Sequence, residues 1–447
     1  MEILYIPIGV PTFHLESADK QFQASKALLS SICDAVVYPE DMLLGLDSLK
    51  AYLDGKSPDL AIVQNVTFAN GAYMQEALSK FSCPVLLWTL REPVIDGGRL
   101  RLNSLTGAFS AGNMLCAFRR PFEYVYGSPD EERVKQKVAA CIAAVALMRK
   151  MRSLKLLQVG HTPQGFGFGR ALDAELASAF GVTLSSIEAR ELIDMAKSYG
   201  DDEAQEYVER AKKSIKGLDK IDSKNVLDFA KLFKAYETYV KDNGIGALSS
   251  RCWPDFFTAY GTPVCAVLAI FNDLGVASAC EADTYGALSM YMAQQLTSRP
   301  AFFGDPVSLD ERDNTLTFWH CGTGACSLAR EDTGAQAGLH CNRKIGPTLE
   351  FGCKPCDRVT ILRLGKDAEG KFRLFIASGE ALDKPKQFSG TSVVVKTDAP
   401  AYELVDSAVR QGWEPHFAVA MADIVEPLKA LANFLGIEVV VKDVCNK

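Results

Sequence analysis

Two acidic stretches flank a mostly apolar segment in the second half of this 447-residue chain. The first, Arg251-Cys252-Trp253-Pro254-Asp255, directly follows a strand-like run. The second is Cys280-Glu281-Ala282-Asp283-Thr284-Tyr285. Asp255 and Asp283 stand at transitions between elements and not inside charged helices. Carboxylates held beside a low-dielectric segment need a cation or a metal ion as partner. The competing reading is that both are ordinary caps and turns.

Other motifs carry less chemistry. The stretch from Gly160 to Gly169 (GHTPQGFGFG) follows a strand and precedes a helix, the usual place for a phosphate loop. Its spacing fails the dinucleotide fingerprint, because arginine occupies position 170, and no Gly-Lys-Ser/Thr follows. A ligand-facing loop at the carboxyl end of a strand is one reading, and a flexible strand–helix turn is the other. A nucleotide-dependent enzyme using Gly165–Gly169 is the weaker functional alternative. Cys353-Lys354-Pro355-Cys356 has CxxC spacing, but structural zinc usually draws on two tight pairs, and only one is present. The 13 cysteines therefore read as structural or incidental thiols. The five histidines, His14, His161, His320, His340 and His416, show neither HxxxH nor HxH spacing, which excludes a zincin. The absence of a Gly-x-Ser-x-Gly elbow weakens a hydrolase reading.

The elements that must position these residues fall into three regions. Apolar runs at Ile3–Ile8, Ala35–Tyr38, Leu60–Gln64 and Pro84–Thr89 alternate with helical segments, which implies a parallel sheet covered on both faces. Ser128-Pro129-Asp130-Glu131 reads as a capped helix start, with the helix running to about Arg152. Leu154–Val159 opens a second α/β unit. Residues 187–243 are helical in pattern, Ile245–Ser249 is a strand and Val264–Leu274 a buried helix. Beyond about residue 300 come short strands at Leu316–Trp319, Val359–Leu364, Phe372–Ala377 and Ser392–Lys396, joined by turn residues. They imply an antiparallel sheet or barrel. A helix-like segment, Ala422–Leu435, and a strand, Glu438–Val441, end the chain. The expected architecture is two Rossmann-like parallel α/β domains, 1–152 and 153–290, followed by a β-rich, barrel-like domain, 291–447.

Composition narrows the function classes. With 48% hydrophobic and 23% charged residues the chain is an ordinary globular protein. A net charge of −7 lacks the basic footprint of a nucleic-acid binder. The start, MEILYIPIGVP, lacks a secretory n-region, and the longest other apolar stretch is too short to span a bilayer. A cytoplasmic protein with reduced thiols and no membrane partner is the expectation.

The run Ala279-Cys280-Glu281-Ala282-Asp283, continuing through Leu288-Ser289-Met290 to Gln294-Gln295-Leu296-Thr297, resembles the metal-binding segment of the L-fucose isomerase and L-arabinose isomerase superfamily. Thr317-Phe318-Trp319-His320-Cys321-Gly322 fits its continuation, and Gly412-Trp413-Glu414-Pro415-His416-Phe417 resembles its late metal-binding histidine segment. The first 150 or so residues match by architecture alone.

The resemblance implies a divalent metal, manganese above all, held by two carboxylates and a histidine. Carried over, Asp283 matches the second carboxylate, His416 the histidine, and Asp255 the first carboxylate, where glutamate is expected. It implies an aldose–ketose isomerase working through an ene-diol. A metal would hold O1 and O2, and a carboxylate, Asp255 or Asp283, would shuttle the proton. Arg251, Trp253 and Tyr285 are expected sugar contacts or packing residues, His320 and His340 contacts to the far end of the substrate, and Glu281 a supporting or capping residue. Fucose, arabinose and anionic sugars such as sulfoquinovose all stay open. An anionic one would need an arginine, with Arg101, Arg251 and Arg343 available. A homo-oligomer, trimer or hexamer, is implied, with the site near a subunit interface; His14 and Asn103–Gly107 would reach the neighbour's site or be simple turns. The alternative is a non-catalytic sugar-binding or regulatory protein on the same architecture.

Overall fold

The computed structural model describes residues 1–442. The chain forms two compact units. One comprises Met1–Arg149 with Glu426–Ile437, and the other comprises Lys150–Val425 with the chain from Glu438.

In the first unit, β1 (Ile3–Ile8), α1 (Leu15–Ile32), β2 (Val36–Val37), α2 (Leu46–Leu53), β3 (Leu60–Asn65), α3 (Gly71–Lys80), β4 (Val85–Thr89), α4 (Ser104–Ala117) and β5 (Phe122–Tyr126) alternate. They build a five-stranded sheet of order β2-β1-β3-β4-β5, in which every pair is parallel. β1 and β3 are buried at all six positions, so each reads as a continuous apolar run and not as an alternation. The turn Ser128–Glu131 differs from expectation. The Glu131 carboxylate does accept the Ser128 N–H at 2.6 Å, but it closes a separate turn, and α5 (Glu132–Arg152) starts after it.

The second unit opens with β6 (Lys155–Val159), α6 (Asp173–Phe180), β7 (Thr183–Ile187), α7 (Ala189–Ser198) and α8 (Asp201–Lys212). Then come β8 (Ile215–Lys216), α9 (Ser223–Asn243), β9 (Ala247–Ser250), α10 (Cys265–Asp273), β10 (Ala277–Cys280) and α11 (Thr284–Thr297). A parallel sheet of order β10-β9-β6-β7 results. α11 is buried from Thr284 to Gln294, a helix without a solvent face.

The remaining elements are β11 (Phe302–Asp310), β12 (Thr315–His320), β13 (Ala335–Gly338), β14 (Thr348–Gly352), β15 (Cys356–Lys366), β16 (Phe372–Ala381), β17 (Thr391–Thr397), α12 (Ala401–Arg410), β18 (Phe417–Ala420), α13 (Val425–Leu435) and β19 (Glu438–Lys442). Six of the strands close a barrel in the order β16-β15-β18-β11-β12-β17, with β17 pairing back onto β16. All six pairings are antiparallel. Closure removes the exposed edges that an open antiparallel sheet would present. The fold is thus two parallel-sheet α/β layers and a β-barrel. α13 returns to the first unit, where Asn433 donates to the Phe122 carbonyl at 2.8 Å and Lys137 bridges Glu123 and Glu426.

Candidate active site

In a parallel sheet, ligands collect beyond the carboxyl ends of the strands. Three such ends lie together in the second sheet. β6 runs into the Gly160–Gly169 loop, β9 into Arg251–Asp255, and β10 into Glu281–Asp283.

The last of these turns is strained. Glu281 and Ala282 both adopt the left-handed conformation, φ 61° and 54°. Each such L-residue costs about 1–2 kcal/mol, and strain of this kind persists where the surroundings over-determine it. Two steps apart, Glu281 and Asp283 end in different environments. Glu281 lines a cavity of about 290 Å³, whereas Asp283 is 1% exposed and caps α11 by accepting the Gly286 N–H at 2.8 Å.

His416, one residue before β18, joins the two acids. Its Nδ1 lies 2.9 Å from Asp283 Oδ2, and its Nε2 lies 3.0 Å from Glu281 Oε2 and 3.5 Å from Asp305 Oδ1. Asp283 is closed on its other side by Arg363 of β15, fully buried, which donates at 2.6 and 3.1 Å to the two carboxylate oxygens. Burial alone would raise the Asp283 pKa; the Arg363 charge and the His416 hydrogen bond outweigh it and hold the carboxyl well below the usual range. Behind Arg363, its Nε lies 3.9 Å from Glu414 Oε2. Burial opposes a charge on His416, but its hydrogen bonds to the Asp283 and Glu281 carboxylates push its pKa up to about 9.

The cavity side is less saturated. Glu281 Oε1 accepts the Trp253 indole N–H at 3.2 Å. Asp305, on β11, is half-buried, and its carboxylate accepts no hydrogen bond among the described residues beyond its 3.5 Å approach to His416. Burial raises the Asp305 pKa, with the two neighbouring histidines pulling the other way. Glu281, His320 and His416 each offer a ligand atom within 4.8 Å of one another, and the Asp305 carboxylate approaches the same His416 nitrogen at 3.5 Å. His320 Nδ1 accepts the Cys321 backbone N–H at 3.0 Å, which places the proton of the neutral ring on Nε2. Phe168 packs edge-on against His416 at 5.4 Å, and Phe166 lies 6.1 Å from Trp253, so the glycine-rich loop lines this centre. Only glycine fits at 169, where an added Cβ would stand 2.8 Å from the Asp283 Cα.

Of the residues expected from the sequence, His416, Asp283, Trp253 and His320 meet here, and His340 lines the same cavity. Asp255 and Arg251 pair with each other at 2.8 Å and do not line it. Tyr285 contacts Glu175 at 3.3 Å and packs edge-on against Phe372, also away from the cavity. His14 caps α1 and Asn103 precedes α4, both in the first unit. Cys353 is buried and Cys356 turns its thiol to the Arg358 carbonyl at 3.1 Å; neither belongs to the three-residue ligand group found among the described residues. The thiols that do gather are Cys252, Cys265, Cys280 and Cys321, close enough to influence one another's ionisation.

Asp305, Arg363 and Glu414 had not been expected in the site from their residue types. A signal existed for Arg363, a lone charge inside the apolar run Ile361-Leu362-Arg363-Leu364, because such a residue needs a buried counter-charge. Asp305, between Gly304 and Pro306, carries no comparable mark.

The profile described as "L-fucose isomerase, C-terminal domain" matches residues 350–442. Over 98% of both chains, the protein is 59% identical to the sulfoquinovose isomerase of Clostridium sp. (strain MSTE9). It belongs to the L-fucose isomerase family. Two further relatives, the sulfoquinovose isomerases of Priestia aryabhattai and Alkalicoccus urumqiensis, are 39% and 36% identical over 98% of this chain and 98% and 99% of theirs. This member of the family is an aldose–ketose isomerase acting on a sugar. None of its helices among the described residues is long and apolar enough to cross a membrane.

Proposed function

We propose that this isomerase converts sulfoquinovose, a 6-deoxyglucose bearing a sulfonate at C6, into its ketose, using a divalent metal held by Glu281, Asp305 and His416. The substrate is taken from the names of the three relatives, similar over nearly the full chain. The ligand set rests on one observation: two carboxylates converge on His416 Nε2 while its Nδ1 is committed to Asp283. Second-sphere carboxylates orient metal-binding imidazoles in this way. Two oxygen ligands and one imidazole suit a hard ion such as manganese.

An ion held by Glu281, Asp305 and His416 would supply Lewis-acid polarisation of the open-chain sugar's carbonyl. The remaining work belongs to side chains. Asp305, with free oxygen valence, takes the proton from C2 and returns it at C1. His320, with its Nδ1 occupied by the Cys321 N–H, donates through Nε2 to a substrate oxygen. Phe166, Phe168 and Trp253 keep water from the ene-diol. In this reading Glu281 replaces Asp283 as the metal carboxylate, Asp305 replaces Asp255, and Asp283 positions His416.

We further infer a cytoplasmic homo-oligomer, trimer or hexamer, with the cavity near a subunit interface. Ile95 and Phe109, 93% and 76% exposed in the first unit, support a covered surface there. The decisive experiment follows ketose formation from sulfoquinovose before and after chelation, then with manganese restored. Activity that vanishes with chelator and returns with manganese supports the reading; chelator-insensitive turnover contradicts it, and a monomer by light scattering contradicts the assembly.

A further inference from the structure

The cavity is electrically lopsided. One end holds Glu281 and Asp305, and the lysines and arginines of its lining reduce to one, Arg343. An anionic substrate entering beside two carboxylates needs a cation away from them. The other cations near the site are committed. Arg251 pairs with Asp255 outside the cavity, and Arg363 is buried against Asp283.

Arg343 is held differently. Its guanidinium has no carboxylate within ion-pair distance among the described residues, and lies 5.8 Å from the Trp253 ring and 5.0 Å from the Phe257 ring. Aromatic faces fix the orientation of a guanidinium without consuming its N–H groups. Its donors stay free for a planar, two-point contact with oxyanion oxygens. Two further donors stand beside it on the cavity wall. One is the Asn342 side chain. The other is His340, whose Nδ1 accepts the Asn342 N–H at 3.3 Å and so leaves Nε2 to donate. A single indole spans the distance between the ends: Trp253 donates to Glu281 through Nε1 and carries Arg343 over its face.

We propose that Arg343, supported by Asn342 and His340, anchors the anionic group at the C6 end of the sugar while C1 and C2 lie at Glu281 and Asp305. Arg343 is thereby the residue that selects sulfonated over neutral hexoses. This inference rests on the metal-end reading above.

Wild type, Arg343→Met and Arg343→Lys are compared on sulfoquinovose and on its neutral counterpart 6-deoxyglucose, with binding of each measured by calorimetry. The expected result is a roughly 10–100-fold fall in kcat/KM for the sulfonated sugar in Arg343→Met, carried by KM. Turnover of the neutral sugar and melting temperature stay unchanged, and Arg343→Lys recovers part of the loss. Equal loss on both sugars, or none on either, overturns the anchor. If wild type binds sulfoquinovose but does not isomerise it, and Arg343→Met abolishes that binding, the anchor stands and the proposed reaction falls. If wild type does not bind it, both fall.

Discussion

The two sides of the His416 ring make opposite use of the same residue type. On the inner side, every oxygen of Asp283 is engaged, by Arg363, His416 and the Gly286 N–H, and the group is closed to solvent. On the outer side, Glu281 and Asp305 face a cavity, and Asp305 keeps open valence. A saturated carboxylate is structural and a half-satisfied one is available for a ligand. Acidic character alone does not separate the two; the count of partners does.

Breaking the outer side acts on turnover. Asp305→Asn is expected to lower kcat by about 10²–10⁴-fold with the melting temperature unchanged, as steady-state rates and a thermal scan on one preparation will show. Breaking the inner side acts on stability. Arg363→Met removes the guanidinium from buried Asp283, leaving it only His416 and the Gly286 N–H, and is expected to destabilise by about 3–5 kcal/mol in denaturant titration. An intermediate case sharpens the boundary. Asp283→Asn keeps the shape but weakens the hold on the His416 tautomer, and metal affinity measured by competition is expected to fall about 10–100-fold.

The same rule extends to a carboxylate remote from the cavity. Glu237 accepts from Arg210 at 2.6 and 2.9 Å and from Tyr207 at 3.0 Å, and Arg210 is the main cause of a pKa lowered from 4.5 to about 2. A pKa depressed by folding contributes stability above its unfolded value, lost as pH falls from about 4.5 towards 2. Glu237→Gln is therefore expected to be less stable than wild type at pH 7 and to lose less on acidification from pH 5 to pH 3, read by melting temperature.

Much of the scaffold was legible in the residues. β1 occupies Ile3–Ile8 as expected, because a strand buried on both faces must be apolar throughout. The turn-bounded runs after residue 300 pointed to a barrel, and six strands close one. β18 was not legible. Its four residues, Phe417–Ala420, are too few for a periodic signal, and they pair with strands more than fifty residues away in sequence. In the candidate site, His416 and the Glu281–Asp283 turn stood out. Which acid faces the cavity did not, because that depends on two successive left-handed residues, neither of them glycine, and such a turn leaves no mark in composition. Asp255 drew attention as an acid after a strand, yet Arg251 four residues earlier is its partner.

Glu281, and not Asp255, is expected to hold the metal. Metal content per chain, measured by elemental analysis after manganese loading and desalting, separates the two across wild type, Glu281→Gln and Asp255→Asn. About one ion per chain is expected in wild type and in Asp255→Asn, with that ion lost in Glu281→Gln. Retention of the ion in Glu281→Gln together with its loss in Asp255→Asn would instead put the metal at Asp255.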